Sequence, residues 1–534
     1  MPSPSLLAIS AILAFISSTI IHRVFFHSLS NVPGPPLARI SKLWFVWHVR
    51  RGTSHTFMPA LHARYGPIVR IAPDQVLVCS EDAIRQAYSS GTKFTKGAWY
   101  HVCEAPRKGT IDERLDLLTE TDMEKYKMQR RAIGPAYSVA GMEKHEAALD
   151  RYIDTFIAKI KGLGGVNVDL AEWMHIYSLD ALSHVVLSKS LDYTAQGSDG
   201  GNGAASESIW SLFTTLGLFP GFVWVMHAIP YVGTLLILPA SFVLGLGMPR
   251  IWPIMAFVVP GIMERLQALE STKDVKMVHR TGFSRGVMVE APEASSTADG
   301  SGKEDMMGTL LALHHDKEAK FAPSWVLGIA LTNFGAGHDT IMITMAVCIY
   351  NLATHPKCIE RLRREMDEQG ITKESGYSEI VRKVPLFLAV LKESLRMYPA
   401  IAFFLPRVVP AGGATVADTY LPAGTTMGIS LWATHHDPTV FPEPNKFSPE
   451  RWLQDGTESK TREIGRMNQV WMGFGGQSRS CPGQNLARFF VVKGMKRIVE
   501  SMDLEVEGQP EFRGWFATQI RGVGVRFLPR SHTS

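Results

Sequence analysis

Phe474-Gly475-Gly476-Gln477-Ser478-Arg479-Ser480-Cys481-Pro482-Gly483-Gln484-Asn485-Leu486-Ala487 is the stretch on which the reading of this 534-residue chain turns. Glycines come first, then one cysteine, then Pro-Gly, then an apolar helical run from Leu486 towards Met495. A thiolate is the form of cysteine that binds metals, and it persists only near donors or positive charge. The glycine turn offers successive backbone N–H groups, and a helix starting after Pro482 adds the positive end of its dipole. Arg479 adds a formal charge two residues away. Cys481 therefore sits where a charged sulfur could be held without a second cysteine. The competing reading is a buried, inert cysteine.

The loop resembles the haem-binding loop of the cytochrome P450 superfamily, whose pattern is matched by Phe474, Arg479, Cys481 and Gly483. It departs at Gln477, where the family usually has glycine; Gly475 and Gly476 are left to absorb the bend. The resemblance implies that Cys481 is the proximal thiolate ligand of haem b iron, a ligand that favours O–O cleavage. It also implies a mainly α fold with a small β region, as one catalytic domain behind an N-terminal transmembrane anchor.

Composition narrows the remaining classes. With 46% hydrophobic residues the chain can bury a large core, and 55 Lys+Arg against 50 Asp+Glu leave no nucleic-acid footprint. The cysteines (Cys79, Cys103, Cys348, Cys358, Cys481) are scattered and odd in number, which fits a reducing compartment rather than a disulfide framework. Leu6 to Ile21 is uncharged and mostly apolar, and Val24 to Phe26 extend it towards the ~20 residues that span a bilayer. A cleaved signal peptide is the rival. Arg23, Arg39, Lys42, Arg50 and Arg51 all follow the run, so the positive-inside rule puts the body in the cytosol. The expected division is an anchor over 1–26, a stiff proline-rich hinge over 27–40 around Pro33-Gly34-Pro35-Pro36, and a catalytic domain over 41–534.

Within the body, Tyr65 to Cys79 reads as two short strands about Pro73-Asp74, and Met123 to Ile133 as a helix. Tyr126 and Arg130 share one face of that helix. In the superfamily the matching pair binds a haem propionate, with tryptophan where Tyr126 stands. Ser90 to Thr121, with Trp99-Tyr100 and the acidic Asp112/Glu113/Asp116 region, is loop-rich and by resemblance roofs the substrate pocket. Its Lys96…Trp99-Tyr100 pattern resembles the fungal pisatin-demethylase-like branch. Two polar insertions, at 196–203 and 291–304, read as mobile loops. Between them, 216–259 is too apolar for a cytosolic surface and too rich in proline (Pro220, Pro230, Pro239, Pro249) for a simple span, so it is expected to be a lid dipping into the bilayer.

Ser324 to Thr354 is one long apolar helix of roughly 45 Å. Its centre, Phe334-Gly335-Ala336-Gly337-His338-Asp339-Thr340, suggests either close packing or a local widening; the latter is expected here. The motif resembles the superfamily's oxygen-activating Ala-Gly-x-Asp-Thr. That resemblance makes Thr340 and Asp339 the catalytic proton-delivery pair, with Asp339 leading to solvent; His338, at the variable position, reads as packing or a channel contact rather than a ligand. Glu393 and Arg396 lie three apart on a helix stopped by Pro399, and with Arg451 in Pro449-Glu450-Arg451 they resemble the family's buried structural network. By family position Arg407 meets a propionate, and Phe403 and Phe404 form an apolar ceiling.

These resemblances imply a monooxygenase that inserts one atom of O2 into an apolar small molecule, in a secondary-metabolite step on a polyketide, terpenoid or alkaloid. No flavin-binding segment follows, so electrons are expected from a separate NADPH-cytochrome P450 reductase, with cytochrome b5 as a second donor. The docking face is expected near Arg479 and the Lys493–Arg497 run. The expected location is the endoplasmic reticulum membrane, single-pass. The alternatives are a haem-thiolate isomerase or dehydratase without net oxygenation, and a membrane-tethered haem sensor or carrier.

Overall fold

A computed structural model describes residues 3–104, 116–228, 230–246, 250, 252–270, 305–315 and 323–530. Asp112, Glu113, Pro249 and the 291–304 insertion lie outside the described residues. The fold is mainly helical with three small sheets. Helix α1 (Pro4–Ile21) buries none of its side chains, and with the turn to Phe26 it is long and apolar enough to cross a membrane.

The body is built on helices α2 (Met123–Ile133), α3 (Glu146–Gly162) and α4 (Leu170–Leu187). Two of these starts are fixed by side-chain caps. Asp122 accepts the N–H groups of Glu124 and Lys125, and Asp169 accepts that of Glu172. Helix α5 (Asn202–Leu216) meets α6 (Pro220–Ala228) at 109°, and α7 (Pro230–Leu244) and α8 (Met255–Glu270) follow. The apolar stretch is thus a set of short helices. It presents Trp224, Leu235, Phe242 and Val243 to the outside, Phe242 at 87% exposure. Arg50 Nη1 donates to Leu244 O at 2.8 Å and ties these helices to the body.

Helix α9 (Pro323–Thr354) runs through the core against α4, followed by α10 (Leu386–Met397) and α11 (Gln484–Ser501). The main sheet is ordered β1-β2-β8-β5-β3, from β1 (Ile68–Ala72), β2 (Gln75–Val78), β3 (Thr95–Lys96), β5 (Arg407–Val408) and β8 (Thr426–Ile429). A second sheet joins β4 (Val168–Asp169) to the hairpin of β9 (Met502–Gly514) and β10 (Thr518–Pro529), and β6 (Ala414–Val416) pairs with β7 (Thr419–Leu421). Between Ile401 and Val409 only Arg407–Val408 is strand, with a bridge from Ile401 to Ala517. Phe403 and Phe404 between them leave the strand to pack on Trp99 and Phe45.

One buried cation fixes the proline-rich segment. Arg70 on β1 is fully buried, and its guanidinium donates to the carbonyls of Arg23 (3.0 Å), Leu29 (3.3 Å) and Pro73 (2.8 Å). Its backbone N–H donates to Pro33 O at 2.7 Å. A Cβ on Gly34 would stand 2.3 Å from Arg70 O, so only glycine permits this approach.

A second buried network supports the cysteine loop. Glu393 is fully buried and accepts from Arg396 Nη2 and Nε (both 2.9 Å), Arg451 Nε (3.0 Å), Trp452 Nε1 (2.9 Å) and the Ser448 N–H (3.1 Å). Arg396 Nη1 donates to His435 O at 2.9 Å, and His435 Nε2 accepts the Met472 N–H at 3.0 Å. Burial and the neighbouring Arg396 hold the His435 pKa down at about 3, so its ring is neutral and able to accept. The network thus reaches the segment leading into Phe474.

Candidate active site

The cysteine loop turns on its two glycines. Gly475 has φ +79°, and its N–H donates to Met472 O at 2.9 Å. A Cβ on Gly476 would lie 2.5 Å from Tyr88 Cβ. Gln477 opens a short 3-10 turn, so the residue that replaces the usual glycine needs no unusual backbone. The Cys481 N–H donates to Phe474 O at 2.7 Å and closes the loop. Burial pushes the Cys481 thiol pKa up; the Gly483 N–H and the guanidiniums of Arg130 and Arg488 oppose that shift. Arg488 lies over the Phe474 ring, 5.1 Å from its centroid.

Around this loop the chain gathers cations. Arg130 Nη2 donates to Cys481 O at 3.4 Å, while its Nη1 is buried with no hydrogen-bond partner. Arg479 stacks on Tyr126, 3.9 Å from the ring centroid, and donates to Glu120 O at 2.8 Å. Arg407, 4% exposed, donates to Tyr100 Oη at 3.1 Å and to Pro406 O at 2.9 Å, and lies over Tyr88. Lys96 donates to Leu117 O (2.9 Å) and Leu118 O (2.6 Å). Burial, then Arg407 and Arg479, drive the Lys96 pKa well down, with Asp116 opposing. Arg407 opposes the charge on Arg479 more strongly than Glu120 supports it. A buried excess of positive charge needs an anionic partner. The cluster and the orphaned Arg130 Nη1 fit the two propionates of haem b, and Cys481 supplies a sulfur donor beside them.

The α9 motif has its own set of contacts. Thr340 Oγ1 donates to Ala336 O at 2.8 Å, within the helix. Asp339 is fully buried: its Oδ2 accepts from Trp210 Nε1 at 2.7 Å, and its Oδ1 lies 3.5 Å from Gln519 Nε2 and 3.6 Å from His175 Nε2. His338 is fully buried, with Nε2 3.2 Å from Ser206 Oγ and Nδ1 against the Phe334 carbonyl. The expected widening of α9 is absent, because α-helix runs unbroken from Pro323 to Thr354. Gly337 serves close packing instead, since a Cβ there would lie 3.3 Å from Leu182 Cδ1.

Two further expectations need correcting. The Lys493–Arg497 run is not an open basic face. Lys493 is 1% exposed and pairs with Glu146 (2.7 Å) and Asp150 (2.9 Å), Lys496 pairs with Glu500 (3.0 Å), and Arg497 pairs with Asp154. These acceptors, apart from Glu500, come from α3, which a local reading cannot see. The 196–203 segment is a fixed turn around a buried side chain, because Asp199 accepts the N–H groups of Gly201 (2.8 Å) and Gly203 (2.7 Å) and contacts His175 Nδ1 at 2.8 Å.

The sequence reading passed over His435, Trp210, His175 and Asp199, and gave Lys96 no role in charge. The first four carry no motif; their partners lie far away along the chain. A lysine two residues before an aromatic-rich turn was the available signal for Lys96.

A family model described as Cytochrome P450 matches residues 33–221 and 270–520. The chain is 32% identical to "Cytochrome P450 monooxygenase sdnT" of Sordaria araneosa, over 96% of this chain and 93% of that protein. It is 26% identical to "Cytochrome P450 monooxygenase gsfF" of Penicillium aethiopicum, over 97% of each. It is also 26% identical to "Pisatin demethylase" of Fusarium vanettenii, over 91% of this chain and 85% of that protein.

Proposed function

The chain belongs to the cytochrome P450 family, and from that premise we propose how its own residues serve the reaction. It is a haem-thiolate monooxygenase that draws electrons from a redox partner and oxidises an organic substrate. Cys481 would hold the iron of haem b, and Arg130, Arg407, Arg479 and Tyr126 would hold its propionates; Phe474 opens the ligand loop. When bound, haem b supplies the activation of O2 and the oxidising equivalents. The polypeptide positions, excludes water and moves protons. Gly483 N–H and the nearby guanidiniums favour the sulfur as an anion. Thr340 offers a hydroxyl and Asp339 a carboxylate, which together hand protons to reduced oxygen. The surplus of buried positive charge next to the one cysteine in a glycine turn is the observation behind this reading.

Relatives named as monooxygenases favour oxygen insertion over the isomerase, dehydratase and carrier alternatives. The substrate is an apolar secondary metabolite that enters past the exposed lid of α6 and α7. Support comes from the aromatic wall of Trp99, Phe403 and Phe516, with ring centroids 4.6 and 5.1 Å from Trp99. The electron donor is an NADPH-cytochrome P450 reductase, with cytochrome b5 as a second donor, docking on the outer face of α2, where Lys127 and Arg131 are exposed. The body lies on the cytosolic face of the endoplasmic reticulum in this reading, anchored by α1; its support is that α1 buries no side chain and is long and apolar enough to cross a membrane. The test is the CO adduct of the reduced protein. It should absorb at the thiolate position, and Cys481→Ala should abolish that band; an unchanged band would remove Cys481 from the iron.

A further inference from the structure

We propose that His175 is a proton-transfer residue that links surface-proximal Asp199 to Asp339 in the middle of α9. The inference rests on the reading above, that Asp339 feeds Thr340.

The ring of His175 is 2% exposed and stands between two carboxylates. Its Nδ1 lies 2.8 Å from Asp199 Oδ2. Its Nε2 has no hydrogen-bond partner and faces Asp339 Oδ1 at 3.6 Å. A contact that short to a carboxylate fixes Nδ1 as a proton donor. A lone pair left on Nε2 would face a second anion, whereas a proton there points at an acceptor a few tenths of an ångström beyond hydrogen-bond length. Asp199 is the outer end of the row. Its side chain keeps 13% exposure, and its neighbours Ser198 and Gly200 are exposed. Glycine N–H groups hold it in place, while Trp210 Nε1 and Gln519 Nε2 hold Asp339. Both ends are thus fixed by donors that do not titrate, and the ring is the movable carrier between them.

The proton balance is simple. With Nδ1–H held by Asp199 and Nε2–H facing Asp339, the Nε2–H bond breaks as an O–H bond forms on Asp339 Oδ1, and the ring is left neutral with its Nδ1 proton in place. Once Asp339 has passed its proton on, the ring swings its Nε2 lone pair to a proton that Asp199 has taken from hydronium; that Asp199 O–H bond breaks, the Nε2–H bond forms, and the ring swings back. His338 is the other imidazole at the site and shares Asp339, 3.6 Å from its Oδ2. The three donor sets of His175, His338 and Asp339 lie within 4.8 Å of one another, which would suit a metal ion. The two rings are stacked with centroids 5.1 Å apart and planes 19° from parallel. Lone pairs lie in the ring planes, so stacked rings aim them side by side rather than at one ion.

The test uses the full-length protein loaded with haem, a reductase, NADPH and O2, without added substrate. His175→Phe and Asp199→Asn should each slow NADPH oxidation about tenfold and raise the solvent deuterium isotope effect. Adding His175→Phe to Asp339→Asn should slow it no further, because the residues act in series. Independently of turnover, the reduced CO-bound protein labelled with 15N-histidine should show a low-field Nδ1–H signal that Asp199→Asn shifts. If His175→Phe fails to give the CO band, His175→Gln and Asp199→Asn carry the same comparisons. Slow turnover by Asp339→Asn with native rates for the His175 and Asp199 variants would overturn this route and leave the Asp339 reading standing. Native rates for all three would overturn both. Stoichiometric zinc in the purified protein would make the site a metal centre instead.

Discussion

Glu393→Gln removes one negative charge from a pocket that holds two guanidiniums. Glu393 and Arg396 are fully buried and Arg451 is 7% exposed, so the charge of the trio rises from +1 to +2 with no water to screen it. Three of the five donors reach Oε1 and two reach Oε2. Whichever way the amide is turned, at least two donors meet an NH2 group. Each buried donor left unsatisfied costs about 1–3 kcal/mol, and breaking a buried ion pair costs about 3–5 kcal/mol in total. Against a typical total stability of about 5–15 kcal/mol, that is a large fraction. The chain from Arg396 through His435 to Met472 ends at the cysteine loop, so the loss should appear first as lost haem. Thermal unfolding and the CO-band yield per mole of protein read both effects. Glu450→Gln is the internal control, since Glu450 is 53% exposed and 3.4 Å from Arg361, and such surface pairs contribute about 0–1 kcal/mol. A glutamine variant at 393 with a native unfolding midpoint and full haem content would refute the reasoning.

Gly476→Ala drives a methyl into Tyr88, 2.5 Å from its Cβ, so it should lower haem retention and the unfolding midpoint by an overpacking cost of about 1–3 kcal/mol. Thr340→Ala should keep the CO band and release peroxide in place of product; peroxide assayed against NADPH consumed checks this. Acid should destabilise the fold through histidines buried neutral. His435 is held at about 3 and His55 and His436 at about 4, each chiefly by burial. The unfolded chain takes up their protons below about pH 6.5 while the folded chain does not, so stability falls as pH drops from there towards 4. The slope is up to about 1.4 kcal/mol per pH unit for each histidine, and denaturant midpoints at pH 7, 6 and 5 measure it.

Much of the site was legible because its signals are local. The helix at 123–133 and the stop of the Glu393-bearing helix before Pro399 follow from composition and stop signals, and Glu393 meets Arg396 and Arg451 as the motif implies. The rest depended on partners brought from elsewhere in the chain. Lys493 to Arg497 look like a solvated face until α3 supplies Glu146, Asp150 and Asp154. A glycine-rich polar run looks loose until His175 gives Asp199 a reason to be buried. The glycines of α9 were compatible with either a bulge or a close neighbour, and only the position of Leu182 decides between them.

The strap formed by Arg70 has a consequence for where the chemistry sits. Arg70 lies on β1, and Arg407 lies on β5, three strand spacings across the same sheet. At about 4.8 Å per spacing this is roughly 15 Å. The carbonyls that follow the anchor are clamped at one edge of that sheet, and the charged cleft hangs from the other. A longer or shorter stretch ahead of Arg23 would leave that spacing between the clamp and the charged cluster unchanged, because the sheet sets it.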